Sequence, residues 1–240
     1  MIDTHAHLDA LDEDPAAAVT RARVAGVSRI LTIGTEQAVA LADAHDGVYA
    51  VVGIHPHEAG EEHDLEFVRA LLEHPKAVAV GEIGLDHFRD YAPREAQRQL
   101  FERQLELAGE LGKPVVVHTR AADEETASTL AGFGGTVVMH CFSSPHLLPT
   151  ALERGYYVSF AGNVTYKNAT DLRLAATQVP PDRLLAETDC PYLAPQPVRG
   201  RKNEPAYVMH TLAELARVRG VDQAELEAQI ERNASACFGL

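Results

Sequence analysis

The sequence contains no tryptophan and only seven phenylalanines and seven tyrosines in 240 residues. Such a low aromatic content excludes the long base-stacking platform of a dedicated single-strand binding protein. Three cysteines, an odd number, and the lack of a basic and apolar leader lead us to expect a reducing, cytoplasmic environment. The apolar runs fall far short of the roughly 20 residues that a membrane-spanning helix needs. We therefore expect no membrane segment.

Positive charge is also scarce, with 21 Lys and Arg against 35 Asp and Glu and a formal net charge of −14. The resulting field repels phosphate polymers, which disfavours a general nucleic-acid coat protein. Against this background the 12 histidines stand out. Clustered imidazoles and carboxylates hold divalent cations, which would supply positive charge locally.

Short apolar runs alternate with segments of helical spacing along the whole chain, without a linker or a strict repeat. The runs are 2–7, 28–34, 48–55, 77–85, 114–119, 136–142, 156–161 and 183–189. The clearest helix is Pro93 to Leu111, where an apolar stripe runs beside charged residues. Eight strand–helix units predict one domain over residues 1–240, an α/β fold of the (β/α)8 type. An open doubly wound sheet is the competing architecture.

Seven of the eight runs end in chemically capable side chains, and a barrel brings such strand ends to one shared cavity. His5 and His7 are two residues apart, so on a strand they share a face, and Asp3 joins them. An apolar barrel interior gives two uncompensated imidazoles no other partner, whereas a shared cation accounts for both. A hydrogen-bonded core pair is the alternative.

Seven motifs follow one another from residue 3 to residue 205. They are Asp3-Thr-His-Ala-His-Leu-Asp9, Gly53-Ile-His-Pro-His57, Gly81-Glu-Ile-Gly-Leu-Asp86, Pro114-Val-Val-Val-His-Thr-Arg120, His140-Cys-Phe-Ser143, Glu187-Thr-Asp-Cys-Pro-Tyr-Leu193 and Arg199-Gly-Arg-Lys-Asn-Glu-Pro205. In this order they resemble the TatD-like metal-dependent deoxyribonucleases, a family of amidohydrolase-type metal hydrolases. One departure is Ser144, where the family usually has glycine, and serine tolerates a positive φ less well.

The resemblance implies a centre of two divalent ions (Mg, Mn or Zn) at the carboxyl ends of the strands. By similarity, one ion takes His5, His7 and Asp189, a second takes His118 and His140, and Glu82 bridges them. We expect Asp189 also to accept the proton of the attacking water. Asp3 and Glu187 are expected to orient these ligands, because Glu187, two residues from Asp189, would share its face on a strand.

Other residues are candidates for substrate contacts, each with a simpler interpretation beside it. His55 and His57 share a face, but His55-Pro56-His57 is also a rigid turn at a strand end. Arg120 can bind a phosphate through two hydrogen bonds or lie in a surface loop. Arg199, Arg201 and Lys202 form the densest basic cluster, which either attracts a nucleic-acid backbone or is simply solvated.

Two further groups lie beside the predicted ligands. The aromatic residues Phe88, Tyr91, Tyr166 and Tyr192 are candidates for stacking on bases. Cys141 and Cys190 each adjoin a ligand, so on a strand their thiols should face away from the metals.

The resemblance favours a 3′–5′ exodeoxyribonuclease that acts on DNA or RNA, with a place in DNA repair. An alternative is hydrolysis of another ester or amide, such as the aminoacyl ester of a transfer RNA, because activated water attacks carbonyl carbon as well. A non-catalytic metal-binding module is the third candidate.

Overall fold

The structure, a computed structural model, describes residues 1–89 and 91–240. Eight parallel strands lie side by side in chain order. The strands are β1 (Ile2–Ala6), β2 (Arg29–Gly34), β3 (Val48–Val52), β4 (Ala77–Asp86), β5 (Val115–Arg120), β6 (Val137–Met139), β7 (Tyr157–Phe160) and β8 (Leu184–Ala186). This unbroken order confirms the predicted (β/α)8 barrel and excludes a doubly wound sheet, in which the strand order reverses at a switch point.

Helices on the outside connect successive strands. In the described part of the chain they are α1 (Pro15–Val24), α2 (Glu36–Ala44), α3 (Leu65–Leu72), α4 (Arg94–Leu111), α5 (Asp123–Thr129), α6 (Leu148–Glu153), α7 (Thr170–Gln178), α8 (Val208–Arg219) and α9 (Gln223–Phe238). The predicted stripe of α4 is buried, including Leu100, Phe101 and Ala108. The helix ends at Gly112 in the left-handed conformation, with φ of 63°. No helix in these residues is both long and apolar enough to cross a bilayer.

The barrel is closed between its first and last strands by the segments that follow them. The Asp189 N–H donates to the His5 carbonyl at 2.9 Å, and the His7 N–H donates to the Cys190 carbonyl at 2.8 Å. A parallel bridge pairs Ala6 with Cys190. The seam of the barrel therefore lies next to three of the predicted ligands.

Three predicted strands are shorter than expected at their carboxyl ends. β3 ends at Val52, β6 at Met139 and β8 at Ala186, although extended structure was predicted to residues 55, 142 and 189. Cys141 and Asp189 have φ of 45° and 57°, values outside the extended region. The polar residues that follow these three strands therefore lie outside the ladder, so strand alternation does not set the direction of their side chains.

Two buried glutamines of α4 fix the ends of β3 and β4. The Gln104 side chain accepts from the Ile54 N–H at 2.8 Å and donates to the Ile54 carbonyl at 3.0 Å. Gln97 accepts from the Asp86 N–H at 2.8 Å and donates to the Ala92 carbonyl at 2.9 Å. These amides satisfy backbone groups at and beyond the carboxyl ends of the two strands, which would otherwise be costly to bury.

Candidate metal centre

Six predicted ligands converge at the carboxyl ends of the strands. We call them the ligand cluster: His5, His7, Glu82, His118, His140 and Asp189. They come from β1, β4, β5 and the segments that follow β1, β6 and β8. The cluster is largely buried, since Glu82 and His140 are each about 5% exposed or less.

His5 and His7 lie together, as their spacing predicts. Their Nε2 atoms are 3.3 Å apart. Oδ1 of Asp189 is 3.5 Å from His7 Nε2 and 3.8 Å from His5 Nε2. Oε2 of Glu82 is 3.3 Å from the same nitrogen of His5. Four donor atoms thus surround one point.

Glu82 lies between this group and a second set of imidazoles. Its Oε1 is 2.7 Å from His118 Nδ1, 2.8 Å from His140 Nε2 and 3.4 Å from His55 Nε2. His55, a candidate for a substrate contact, therefore lies within ligand distance of the same carboxylate oxygen. The donor atoms of His55, Glu82 and His118 form one of the groups that could hold an ion.

Glu187 supports His140 from behind. Its Oε1 accepts from His140 Nδ1 at 3.0 Å and from the Cys141 N–H at 2.8 Å. These contacts place the other ring nitrogen of His140 toward Glu82. The strand-face argument for Glu187 does not apply, since β8 ends one residue before it. The contact with a histidine is nevertheless the one that was expected.

Asp86 contacts His118 and His57 as Glu187 contacts His140, although the sequence motifs predicted no role for it. Its Oδ2 is 2.8 Å from His57 Nε2 and 3.2 Å from His118 Nε2. Its Oδ1 accepts the N–H groups of Phe88 and Arg89. The available signal was its position four residues after Glu82, which puts both side chains on one face of β4.

Asp3 contacts the seam and not an imidazole. Its Oδ1 accepts from the Thr188 N–H at 2.8 Å, and its Oδ2 accepts from the Thr188 hydroxyl at 2.6 Å. Burial raises the pKa of Asp3 to about 8, although the hydrogen bonds from Thr188 oppose that rise. Asp3 therefore acts on Asp189 through the backbone of the residue before it.

The charges in the cluster are strongly coupled. Burial alone would raise the pKa of Glu82, but His140, His55 and His118 hold it well below its usual range. Burial alone would lower the pKa of His140, but Glu82 and Glu187 raise it well above its usual value. The pKa of His5 is lowered, chiefly by burial and by His140.

One buried imidazole nitrogen of the ligand cluster faces Glu82 without a hydrogen-bond partner in the protein. It is Nε2 of His140, which makes no hydrogen bond within residues 1–89 and 91–240. The 2.8 Å approach of Glu82 to His140 Nε2 is a charge contact without hydrogen-bond geometry. An unsatisfied buried donor or acceptor is costly, so a ligand at this point would offset that cost. The donor set of imidazoles and carboxylates is one that divalent metals accept.

The basic candidates for substrate contacts either lie over aromatic rings or are exposed. The Arg120 guanidinium lies over the Phe88 ring, 4.1 Å from its centroid. Arg199 lies over the Tyr166 ring at 3.9 Å. Arg201 is exposed, and the exposed Lys202 pairs with Asp12, so its charge is already partnered.

Two exposed tyrosines contact histidines of the site. Tyr91 meets the His57 ring edge-on, with 4.8 Å between centroids, and Tyr192 meets His7 in the same way at 5.8 Å. Both tyrosines are more than half exposed. Both rings therefore lie at the exposed side of the site.

The expectation for Cys141 was wrong. Because Cys141 lies beyond β6 with a left-handed backbone, its thiol approaches Asp189 instead of facing away. Burial, together with the charges of Asp189 and Glu187, raises the pKa of this thiol well above its usual value. Cys190 is fully buried, as expected. Ser144 has φ of −116°, so replacing glycine there imposes no backbone strain.

Comparison with known proteins gives matches over the whole chain. A family model described as "TatD related DNase" matches residues 2–239. The uncharacterized metal-dependent hydrolase YabD of Bacillus subtilis (strain 168) is 36% identical, over 100% of this chain and 99% of that protein. The 3′-5′ ssDNA/RNA exonuclease TatD of Enterobacter lignolyticus (strain SCF1) is 36% identical, over 95% and 94%. The crystal structure of YjjV, a TatD homologue from Escherichia coli K12, has a TM-score of 0.93 at 31% identity, with coverage of 100% and 98%.

Proposed function

This chain belongs to the TatD-related DNase family and is a metal-dependent hydrolase, and we propose that it removes nucleotides from the 3′ end of single-stranded DNA or RNA. The name of the Enterobacter relative supports this substrate and polarity. The observation that carries the proposal is the convergence of four histidines and two carboxylates, Glu82 and Asp189, at the carboxyl ends of the strands. A charged phosphodiester needs such a concentration of cation ligands in a protein that is otherwise strongly acidic.

The ligand cluster would hold two divalent ions, with His5, His7 and Asp189 on one side of Glu82 and His118 and His140 on the other. Ions bound there would neutralise the phosphate charge, lower the pKa of water and stabilise the leaving oxygen. The imidazole-rich donor set favours zinc or manganese over magnesium, which prefers oxygen ligands.

We assign Asp189 to accept the proton of the attacking water. Burial alone would raise the pKa of its carboxyl group, but the hydrogen bond from His7 and the charges of His140 and His5 lower it. The group is therefore ionised and able to accept a proton at neutral pH. A low pKa makes it a weak base, which suffices when the water is itself acidified.

Other residues of the chain orient the reacting groups. Glu187 fixes the ring of His140, and Asp86 fixes the rings of His118 and His57. Such supporting carboxylates set the tautomer and the direction of a ligand. We assign Arg120, whose guanidinium lies over the Phe88 ring, to bind a phosphate oxygen through two parallel N–H groups.

The direct test compares two substrates under the same conditions. End-labelled single-stranded DNA and an aminoacylated transfer RNA are each incubated with the protein and manganese, magnesium, zinc or a chelator. We expect progressive shortening of the DNA only when a metal is present. Loss of the aminoacyl ester with intact nucleic acid would instead identify an esterase. Full activity after exhaustive demetallation would refute a metal-dependent reaction.

The role of Asp189 is tested with Asp189→Asn, which keeps one ligand oxygen but removes the base. We expect kcat to fall by about 10²- to 10⁴-fold, the usual contribution of a general base. Metal content, measured by atomic emission, separates a lost base from a lost ligand. Asp43→Asn, on an exposed part of α2, is the matched control. If the variant keeps both its bound metal and its turnover, Asp189 does not accept the proton.

A further inference from the structure

A cavity of about 300 Å³ lies between the segments that follow β6 and β7. Its walls include the side chains of Ser143, Asn163, Tyr166, Asn168 and Asp171. None of these residues belongs to the ligand cluster. The lining therefore needs its own explanation.

The cavity lies at the same end of the barrel as the ligand cluster. Ser143 is three residues beyond His140, which follows β6. Asn163 lies three residues beyond the end of β7, and Asp189 lies three residues beyond the end of β8. Both walls of the cavity therefore leave the barrel where two of the predicted ligands do.

The β7 side of the cavity is held firmly from two directions. The Arg173 guanidinium donates to the Tyr166 carbonyl at 2.6 Å and to the Val164 carbonyl at 3.2 Å. The Thr165 hydroxyl accepts from the Gln196 N–H at 2.7 Å, which ties the segment to the loop after β8. A site built on such fixed backbone loses little entropy when a ligand binds.

The chemistry of the lining excludes a phosphate and fits a nucleobase. No lysine or arginine lines the cavity within the described residues, and Asp171 adds a negative charge. The amides of Asn163 and Asn168 both donate and accept hydrogen bonds, as the edge of a base does. Oδ1 of Asn163 is buried without a hydrogen-bond partner in the described chain, which leaves capacity for a ligand.

Tyr166 supplies the stacking surface. Arg199 lies over its ring at 3.9 Å, and Tyr166 also lines the cavity, where it is the one aromatic residue among the lining residues described. Stacking on an aromatic side chain stabilises a bound nucleotide and tolerates any base. The arrangement is therefore an aromatic wall beside a small set of hydrogen-bonding groups.

We propose that this cavity, with Tyr166 and Asn163, receives the nucleobase of the 3′-terminal nucleotide while its phosphodiester lies at the ligand cluster. The inference rests on the proposed exonuclease function. It adds that the protein recognises the base of the nucleotide being removed and not only the phosphate backbone.

The test uses wild-type protein and two single-stranded oligonucleotides that differ only at the 3′ end, one with a base and one with an abasic tetrahydrofuran residue. We expect kcat/KM to be about tenfold lower for the abasic end, within the range that one stacked base contributes. The base-free diester bis(p-nitrophenyl) phosphate serves as a separate assay of phosphodiesterase activity in the wild type.

Three variants locate the effect. Tyr166→Ala should bring the ratio of the two kcat/KM values close to one, and Tyr166→Phe, which keeps the ring, should retain the preference. Phe67→Ala removes a half-exposed aromatic ring from α3 and is the matched control, so its ratio should equal that of the wild type.

Two results would overturn the inference, and they are distinguishable. If the wild type cleaves both oligonucleotides equally well, or if Tyr166→Ala keeps the full preference, the nucleobase site is refuted while the exonuclease stands. If the wild type hydrolyses neither oligonucleotide nor the small diester with any metal, the proposed function fails and this site fails with it.

Discussion

Replacing Glu187 with glutamine tests whether the carboxylate behind His140 controls metal binding. The substitution keeps the size of the side chain and one carbonyl oxygen. It removes the negative charge that accepts from His140 Nδ1 at 3.0 Å and from the Cys141 N–H at 2.8 Å. His140 then has a neutral partner and becomes a less basic ligand.

The expected size of the effect follows from those contacts. A hydrogen bond to a charged group is worth about 1.5–3 kcal/mol, and one to a neutral group about 1 kcal/mol. The difference of about 0.5–2 kcal/mol corresponds to roughly a 2- to 30-fold loss of metal affinity. Loss of a supporting carboxylate typically costs about 10- to 100-fold, which agrees.

The assay is a competition titration of demetallated protein with zinc and a chromogenic chelator. We expect Glu187→Gln to bind about tenfold more weakly and to recover activity at saturating metal. Glu66→Gln is the matched control, since its side chain is 79% exposed on α3. Circular dichroism establishes that both variants are folded. An unchanged affinity in folded Glu187→Gln would refute the reasoning.

Further predictions concern pH, backbone packing and substrate binding. The pKa of His140 is raised in the metal-free protein, so a metal ion must displace a proton from this ring when it binds. The apparent metal affinity should therefore rise about tenfold per pH unit for each proton released. A weakly buffered titration measures that release, and constant affinity between about pH 6 and 8 would contradict it. Gly84→Ala should destabilise the fold by about 2 kcal/mol or more in urea unfolding, because φ is 135° and a Cβ would lie 2.0 Å from a carbonyl oxygen of β5. Gly132→Ala is the control, because the space around Gly132 is open, and it should change the free energy of unfolding by less than about 0.5 kcal/mol. If both variants lose the same stability, the packing argument is refuted. Arg120→Ala should raise KM for an oligonucleotide about tenfold with little change in kcat, whereas Arg98→Ala on α4 should change neither constant. If the two variants have the same KM and kcat, Arg120 does not bind the substrate.

The barrel was accessible from the sequence because its strands are buried on both faces. Val115, Val116 and Val117 of β5 are each about 1% exposed or less, which explains why the run contains no polar alternation. Helix α4 showed its apolar stripe for the same reason, and glycines mark the ends of α4 and α8. The number of strand–helix units, eight, then favoured a closed barrel over an open sheet.

The details of the site were less accessible, since they depend on backbone that is not extended. Strand spacing placed Cys141 on the wrong side, and it gave the expected partner of Glu187 for a reason that does not hold. Contacts between different elements of the chain determine the roles of Asp86, Gln97 and Gln104. Periodicity along one element cannot show such contacts. The spacing of Gln97 and Gln104, seven residues apart beside the apolar stripe of α4, was nevertheless a visible sign that both amides are buried.

The seam between β1 and the segment after β8 has a consequence for how the protein is made. His5 and Asp189 are joined across it by a backbone hydrogen bond. During synthesis, the amino-terminal histidines leave the ribosome long before their carboxylate partner exists. A nascent chain that stops before Thr188 therefore carries imidazoles without a finished metal pocket. Assembly of the reactive centre and completion of the barrel are thus one event.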